Sequence, residues 1–317
     1  MLQQKSSYIC PQMDINQILG FISALFIGIT LGVFGGGGSI LTLPVLVYLI
    51  GTESSLGIIY SMFIVGVTTF VGSLHAYFKK TLNLKAAYSF GIPSVIAVFL
   101  TRKFITPWIE EGAWMIYGYE LVGKHLLMIL FALLMIIVAL FMILKKNKEA
   151  ELLNDKRKRF YFGIILKALL VGFISGLIGA GGGFVIVPAM IAFYKLDTKK
   201  AIGTSMIIIS GNSIVGFLGD FINYFLNYGA KSAIQIMPSL GASLKFNKLL
   251  SWEVMIQEYA KMDWTFLTIF TFISTIGVII GSRMAQNINS NNLKKAFGYF
   301  ILMMGFFVFA YEFYLKK

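Results

Sequence analysis

The feature that most constrains this chain is a series of long apolar runs separated by short polar stretches. Of its 317 residues, 57% are hydrophobic and 13% are charged, whereas a soluble globular protein carries about 25% charged residues. Most runs reach the roughly 18 residues needed to cross a bilayer, without an interior charge. The runs lie at 15–34, 39–50, 54–78, 86–101, 122–144, 161–180, 184–194, 201–222, 264–282 and 293–314. We therefore predict an all-α polytopic membrane protein with eight long helices and two short segments.

The charge of the chain fits the same class. Its 27 Lys and Arg residues outnumber 14 Asp and Glu residues, so the net charge is +13. In a soluble protein this excess would suggest nucleic-acid binding, but here the basic residues lie between apolar runs, as the positive-inside rule predicts. We expect contact with lipid, no nucleic acid, and a cytoplasmic basic linker at 145–160. Residues 1–14 lack the features of a cleaved signal peptide, and the single cysteine, Cys10, excludes a disulfide framework.

The two halves of the chain repeat each other at a constant offset of 144 residues. The matched pairs are Gly28 and Gly172, Gly32 and Gly176, Gly35 and Gly179, Gly37 and Gly181, Gly38 and Gly182, Pro44 and Pro188, Glu53 and Asp197, Ser61 and Ser205, and Gly72 and Gly216. Further along, Thr101 and Arg102 pair best with Ser282 and Arg283. The repeat predicts a first unit at 1–144 and a second at 161–317, with a polar insertion at 223–263. Within the insertion, 248–261 has the spacing of an amphipathic helix, and a plain surface loop is the alternative.

The orientation of the repeats depends on the two short segments. If each glycine-broken pair makes one crossing, the repeats are parallel, and if each short segment crosses or re-enters separately, they are inverted. Lys and Arg are distributed more unequally between the two sides in the inverted arrangement, once the 223–263 loop is left out. We therefore predict inverted repeats.

Glycine clusters precede both short segments, at 35–38 and 179–183. Non-helical backbone at membrane depth persists only inside protein or along a wet cavity, and glycine lets a ligand approach the backbone closely. The short helices that follow would direct free amide groups and a positive dipole end into each break, which favours an anion. The predicted binding residues around the two breaks are Gly35, Gly36, Gly37, Gly38, Ser39, Pro44, Gly179, Gly181, Gly182, Gly183 and Pro188. For Gly28, Gly32, Gly172 and Gly176, small-residue helix packing explains the spacing instead.

Several polar residues inside the spans extend this site. Ser61 and Ser205 are a repeat pair whose hydroxyls can donate to an anion, and Thr204 and Asn212 lie on the same helix as Ser205. Hydrogen bonding between helices is the alternative for these side chains and for Thr68. Proton transfer and interfacial placement are both open for His75, His125 and Asp220, and Lys167 either lines the anion path or extends to the interface.

The motif Gly-x-x-Gly-x-Gly-Gly-Gly-x-x-x-x-Pro at 176–188, its copy at 32–44, Ala201 to Ser205 and Gly281 to Arg283 resemble the TauE/SafE family of sulfite exporters. The resemblance covers nearly the whole chain. It implies a transporter in the bacterial plasma (inner) membrane for small sulfur-containing anions such as sulfite, thiosulfate or sulfonates. The insertion at 223–263, and Ser39 in place of the last glycine of the motif, depart from the pattern.

The function predicted from these features is secondary transport, with alternating access between the repeats driven by a proton or ion gradient. An anion channel that uses the same site, or a carrier of another small organic anion, is the alternative. We expect no enzyme activity, catalytic residue, metal or cofactor, because two unpaired histidines and one cysteine supply neither a nucleophile with its base nor a ligand cluster. Association into a homo-oligomer stays open.

Overall fold

The computed structural model describes residues 15–52, 54–106, 109, 113–116, 119–144, 157–179, 182–240 and 263–311. Over these residues the chain forms ten helices and one β-hairpin. In chain order the elements are α1 (Ile15–Phe34), α2 (Gly38–Pro44, continued as a π-helical turn over Val45–Leu49), α3 (Ser54–Phe78), α4 (Leu84–Leu100, continued as a π-helical turn over Thr101–Ile105), β1 (Ala113–Ile116), β2 (Tyr119–Val122), α5 (Gly123–Leu144), α6 (Arg157–Ile178), α7 (Gly183–Tyr194), α8 (Thr198–Leu240), α9 (Trp264–Asn287) and α10 (Ser290–Ala310).

Each predicted apolar run coincides with one helix, so the polytopic α-helical class is confirmed. Two details differ from the prediction. Helix α8 continues to Leu240, so the first part of the polar insertion prolongs a membrane helix, whereas 248–261 lies outside the described residues. A two-stranded antiparallel hairpin, in which Ala113 pairs with Val122, connects α4 to α5. Four-residue strands are too short to give a recognisable alternation in the sequence.

Five helices of the described chain are long and apolar enough to cross a membrane. These spans are Leu56–Phe78, Leu84–Ile105, Thr198–Phe221, Trp264–Asn287 and Ser290–Ala310. Shorter apolar stretches occur in the other five helices. Large apolar side chains cover the outer surface, among them Phe78, Phe272 and Met303. Exposed apolar surface on this scale requires an apolar surrounding, which lipid provides.

Helices α3 and α8 cross at the centre of the bundle and run antiparallel. Ser210 on α8 donates a hydrogen bond of 3.0 Å from its hydroxyl to the carbonyl oxygen of Gly66 on α3. These two residues are equivalent under the 144-residue offset. On either side of this contact, Gly72 packs against the sulfur of Met206 and Gly216 packs against the sulfur of Met62. The two methionine contacts are therefore the same contact, made once from each half.

The first helix of each half packs against the fourth helix of the other half. On α1, the backbone of Gly28 abuts the carbonyl of Ser274 on α9, and on α6, Gly172 abuts the carbonyl of Ser94 on α4. A side chain at either glycine would overlap the neighbouring backbone, so these glycines serve helix packing, as their spacing predicts. Ser94 and Ser274 contact equivalent glycines, so they occupy equivalent positions in the two repeats. Counted along the chain from these serines, Ser282 is then the residue equivalent to Arg102. The pairing of Arg102 with Arg283 is therefore wrong by one residue.

Candidate functional site

Both glycine clusters end a long helix in the same way. Helix α1 ends at Gly35, whose φ is +72°, and its amide donates to the carbonyl of Leu31 at 2.7 Å. Helix α6 ends at Gly179, whose φ is +75°, and its amide donates to the carbonyl of Ser175 at 3.2 Å. A left-handed φ after the last helical turn favours glycine. The left-handed φ at these two positions therefore explains why each repeat has a glycine there.

The two breaks meet inside the bundle. A Cβ built on Gly183, the first residue of α7, would lie 2.7 Å from the Cα of Gly36. Because glycine stands at both positions, the two backbones touch without a side chain between them. The breaks that the sequence analysis identified are therefore brought together.

The other predicted site residues lie around this contact. Gly37 faces the ring of Phe297, Gly38 faces Leu31, and Gly182 has a φ of +62°. Pro44 and Pro188 are buried within their short helices. Gly181 lies outside the described residues.

Most of the predicted hydroxyl groups bond to their own helices. Ser39 donates to the carbonyl of Gly36 at 2.7 Å, and Ser61 and Ser205 donate at 2.8 Å to Ile58 and Ile202. These bonds leave the hydroxyl oxygens as acceptors, which does not suit an anion.

Thr204 and Asn212 make contacts between helices. Thr204 accepts from the amide of Asn83, which precedes α4. The Asn212 amide nitrogen donates to the hydroxyl of Ser94 at 2.9 Å, and its Oδ1 has no hydrogen-bond partner among the residues that the structure describes. Thr68 donates to its own helix at Ile64. Both Asn83 and Ser94 belong to the first half, so these bonds hold α8 against α4.

Lys167 makes a contact of a different kind. The Lys167 ammonium lies 4.7 Å from the ring centroid of Phe193, a cation–π contact on α7. The side chain of His125 lies outside the described residues. Among the described residues no three His, Cys, Asp or Glu side chains are grouped closely enough to hold a metal ion.

A buried arginine lies beside the second break. Arg102, in the π-helical turn that ends α4, is 2% exposed, and its Nη1 is 2.9 Å from Oδ2 of Asp220 on α8. Its Nη2 occupies the space that a Cβ at Gly179 would fill. We call Arg102, Asp220 and Gly179 the arginine site.

The guanidinium of Arg102 is only partly satisfied. Its Nε and Nη2 have no hydrogen-bond partner within the described structure. These two nitrogens form one edge of the guanidinium fork, the edge that binds an oxyanion through two parallel hydrogen bonds. Close by, the hydroxyl of Ser175 is buried, packs against Gly182 and has no hydrogen-bond partner among the described residues.

At the opposite end of the bundle lies a small partly open cleft of about 40 Å³. We call it the histidine cleft. Its lining includes Gly32, His75, Thr81, Lys199, Ser282 and Gln286. The Lys199 ammonium donates to the carbonyl of Gln286 at 2.6 Å. The Nε2 of His75 has no hydrogen-bond partner in the described part of the chain.

The histidine cleft and the arginine site are repeat equivalents. Ile202, which lines the cleft, packs on Gly35 as Ile58 packs on Gly179 in the arginine site. Ser282 stands where Arg102 would be, and Ala76, next to His75, stands where Asp220 would be. The two halves thus share a backbone frame but carry different polar groups.

Sequence reasoning did not name Arg102 among the candidate residues, and it considered Asp220 for proton transfer or interfacial placement rather than as the partner of an arginine. The site predicted from the sequence consists of backbone amides and hydroxyls, whereas the structure also places the guanidinium of Arg102 against Gly179. The sequence does contain an indication of this pair, because Arg102 directly follows one apolar run and Asp220 lies near the interior of another. Charged groups at such depth are usually paired.

Comparisons with known proteins agree with the fold. A family model described as sulfite exporter TauE/SafE matches residues 20–308. A probable membrane transporter protein of Methanocaldococcus jannaschii is 27% identical over 253 residues, which cover 74% of this chain and 86% of that protein. One from Xylella fastidiosa is 30% identical over 207 residues, covering 62% of this chain and 73% of its own.

A shorter match, 41% identical over 61 residues, links 19% of this chain to 22% of the probable membrane transporter protein YunE of Bacillus subtilis. No solved structure matches the chain. The family model spans most of the chain, including both glycine breaks and the arginine site. The protein is therefore a multi-pass membrane protein that belongs to the sulfite exporter TauE/SafE family.

Proposed function

We propose that the protein is a secondary transporter that carries a small sulfur-containing anion, of the sulfite, thiosulfate or sulfonate class, across the plasma membrane. The observation that carries the proposal is that two equivalent sites differ in accessibility. The histidine cleft is partly open, whereas Arg102 is buried behind its ion pair with Asp220. A carrier needs one side closed while the other is open.

Inverted repeats supply the symmetry for such a cycle. The antiparallel contact of α3 with α8, made through equivalent residues, supports this arrangement. Helices α5 and α10 also run antiparallel, because Gly298 packs on Ile143 whereas Gly305 packs on Met135 and Ile136. Two inverted units can exchange conformations, and the exchange opens the opposite end of the bundle.

The histidine cleft faces the cytoplasm in this proposal. Exposed basic residues surround the turns at its end of the bundle, including Lys79, Lys80, Lys195 and Lys200. The positive-inside rule assigns such turns to the cytoplasmic side. The conformation described is then the inward-facing one.

The substrate passes the two glycine breaks. The backbones of Gly36 and Gly183 contact each other without a side chain between them. Helix α7 begins there with free amide groups that favour an anion. Movement of one repeat against the other would separate the breaks and admit the substrate between them. The hydroxyls of Ser61 and Ser205, one turn of helix away from the same region, would reorient to donate.

Counterflow in proteoliposomes tests the transport mode. Purified protein is reconstituted with unlabelled thiosulfate inside, and uptake of ³⁵S-labelled thiosulfate is followed over a concentration series. We expect saturable uptake that internal substrate accelerates, with sulfite and methanesulfonate as competitors. Unsaturated, voltage-driven current would identify a channel instead, and absence of flux for all three anions would contradict the substrate class.

Glycine variants test whether the substrate passes between the two glycine breaks. Gly36→Ala and Gly183→Ala put a methyl group into the backbone contact, so we expect uptake to fall at least about tenfold. Gly163→Ala is the matched control, because nothing lies within 4 Å of its added methyl group. Unchanged uptake in Gly36→Ala and Gly183→Ala, at the same folded yield as the control, would contradict the assignment.

A further inference from the structure

We infer that Arg102 binds the substrate oxyanion through its Nε and Nη2 edge, with Asp220 as the internal counter-ion that holds the guanidinium in place. The inference rests on the proposed function and adds to it a named cationic ligand. Its ligand class is a small anion with at least two oxygens on one centre, as in sulfite, thiosulfate or a sulfonate.

The first step is the state of the guanidinium. Arg102 is 2% exposed, and its Nη1 bonds to Asp220. Its Nε and Nη2 are buried without a hydrogen-bond partner in the described structure. A buried donor without a partner is costly, and two on one edge are a larger cost than packing alone explains. The missing partner matches an oxyanion, because both free donors lie on the edge that binds two oxygens of one group.

The second step is the position of this edge. Nη2 lies directly against Gly179, where any side chain would displace it. The guanidinium therefore contacts the glycine break itself, close to the start of α7. The unpartnered hydroxyl of Ser175 lies against Gly182 in the same break. A cation thus lies against Gly179, and a hydroxyl donor lies against Gly182, directly before the first amides of α7. Together these groups match the charge and hydrogen-bonding of an oxyanion.

The third step is the role of Asp220. Without a substrate, a buried guanidinium needs a counter-charge, and Asp220, which is 13% exposed, supplies it from α8. Asp220 occupies Nη1 and leaves the Nε and Nη2 edge to the substrate. It therefore positions Arg102 while it competes for the same positive charge.

Anion binding to purified variants tests the assignment. Binding of ³⁵S-thiosulfate is measured at equilibrium, with sulfite and methanesulfonate as competitors and chloride as the control ion. The double variant Arg102→Gln with Asp220→Asn removes both charges together, so no buried charge is left unpaired. We expect its affinity for thiosulfate to fall at least about tenfold, because the charged hydrogen bonds to the anion are lost. Arg102→Lys keeps the charge but loses the fork, and it should weaken binding less than the double variant.

A neighbouring cation provides the matched control. Lys103 follows Arg102 in the chain, but its ammonium lies over the rings of Phe99 and Phe104, at 5.6 and 5.4 Å from their centroids. Lys103→Gln should bind thiosulfate like the wild type. An equal loss of affinity in Lys103→Gln and the double variant would overturn the assignment, because it would indicate a general surface charge effect.

The Asp220→Asn variant separates a binding role from a purely structural one. Removal of the competing carboxylate should raise the affinity for thiosulfate, and thiosulfate should raise the melting temperature of this variant more than that of the wild type. A variant that is destabilised but gains no more stability from thiosulfate than from chloride would show a structural ion pair only.

The outcomes distinguish the two proposals. If the wild type neither binds nor transports any of the three anions, the proposed function fails. If the wild type binds them and the folded double variant binds equally well, transport stands and the role of Arg102 is overturned.

Discussion

The arginine site and the histidine cleft are one backbone arrangement with two different sets of side chains. Each has a glycine with a left-handed φ, an isoleucine packed on it, and a packing glycine one turn earlier. One carries Arg102 and Asp220, and the other carries Ser282 and His75 at the corresponding end. Small residues thus preserve the helix contacts of both repeats, while the buried ion pair is present in one of the two sites.

This difference in side chains determines how much each of the two sites contributes to the stability of the fold. A buried ion pair contributes little net stability compared with apolar packing, but the loss of one partner leaves a buried charge alone. The arginine site therefore contributes to stability only while both partners are present. The histidine cleft has no such pair among its described residues, and its polar groups are partly exposed.

The largest effect should come from Arg102→Gln alone. Asp220 then stays 13% exposed without its arginine, and we expect a loss of about 3–5 kcal/mol of stability. Thermal and denaturant unfolding in detergent measure it. Addition of Asp220→Asn should recover most of the loss. A single variant as stable as the double variant would mean that the pair contributes no coupling.

Alanine substitution of the two helix-ending glycines tests whether the two sites differ in anion binding. Gly35→Ala and Gly179→Ala both force a left-handed φ on alanine, which costs about 1–3 kcal/mol. Only Gly179→Ala also pushes the guanidinium off its position, so it alone should weaken thiosulfate binding strongly. Unfolding and equilibrium binding are measured together, and an equal loss of binding in both variants would assign the effect to backbone strain.

These same residues show which parts of the fold and of the site could be predicted from the sequence. The 144-residue offset and the apolar runs predicted the helices and the two breaks, because glycine and proline act locally and repeat. The two breaks occupy equivalent positions in the repeats, and in the structure Gly36 of one contacts Gly183 of the other. The pairing of Arg102 with Asp220 was not predicted, because their separation of 118 residues carries no local pattern.

The arginine was also hidden by the sequence alignment of the repeats. A one-residue shift paired Arg102 with Arg283, which gave both repeats an arginine at the same position. The packing of Ser94 and Ser274 on equivalent glycines corrects the register. Side-chain contacts between distant helices therefore decide which of two repeated positions carries the charge.

Transfer of the ion pair to the other end should abolish the difference between the sites. Ala76→Asp with Ser282→Arg puts the pair of the arginine site into the histidine cleft. Both ends would then be closed, and we expect thiosulfate flux in proteoliposomes to fall at least about tenfold, the equivalent of 1.4 kcal/mol. A cysteine at Gln286 in a Cys10→Ser background reports access to the cleft and should react more slowly with a thiol reagent in the double variant. Ser282→Ala is the control, and unchanged flux with unchanged labelling would show that the cleft tolerates the pair without closing.

The smallest effect should come from Lys199→Gln. Its ammonium is partly exposed and already bound to the carbonyl of Gln286, so its attraction for an anion is screened and amounts to about 0.2–1 kcal/mol. We expect the KM for thiosulfate on the cleft side to rise about two- to fivefold, and less at high ionic strength, because salt screens partly exposed charges. Lys200→Gln, which changes the next and more exposed lysine, is the control. If Lys199→Gln instead reduced binding as much as the loss of Arg102, the cleft rather than the arginine site would hold the main cationic ligand, and the asymmetry between the two ends would be reversed.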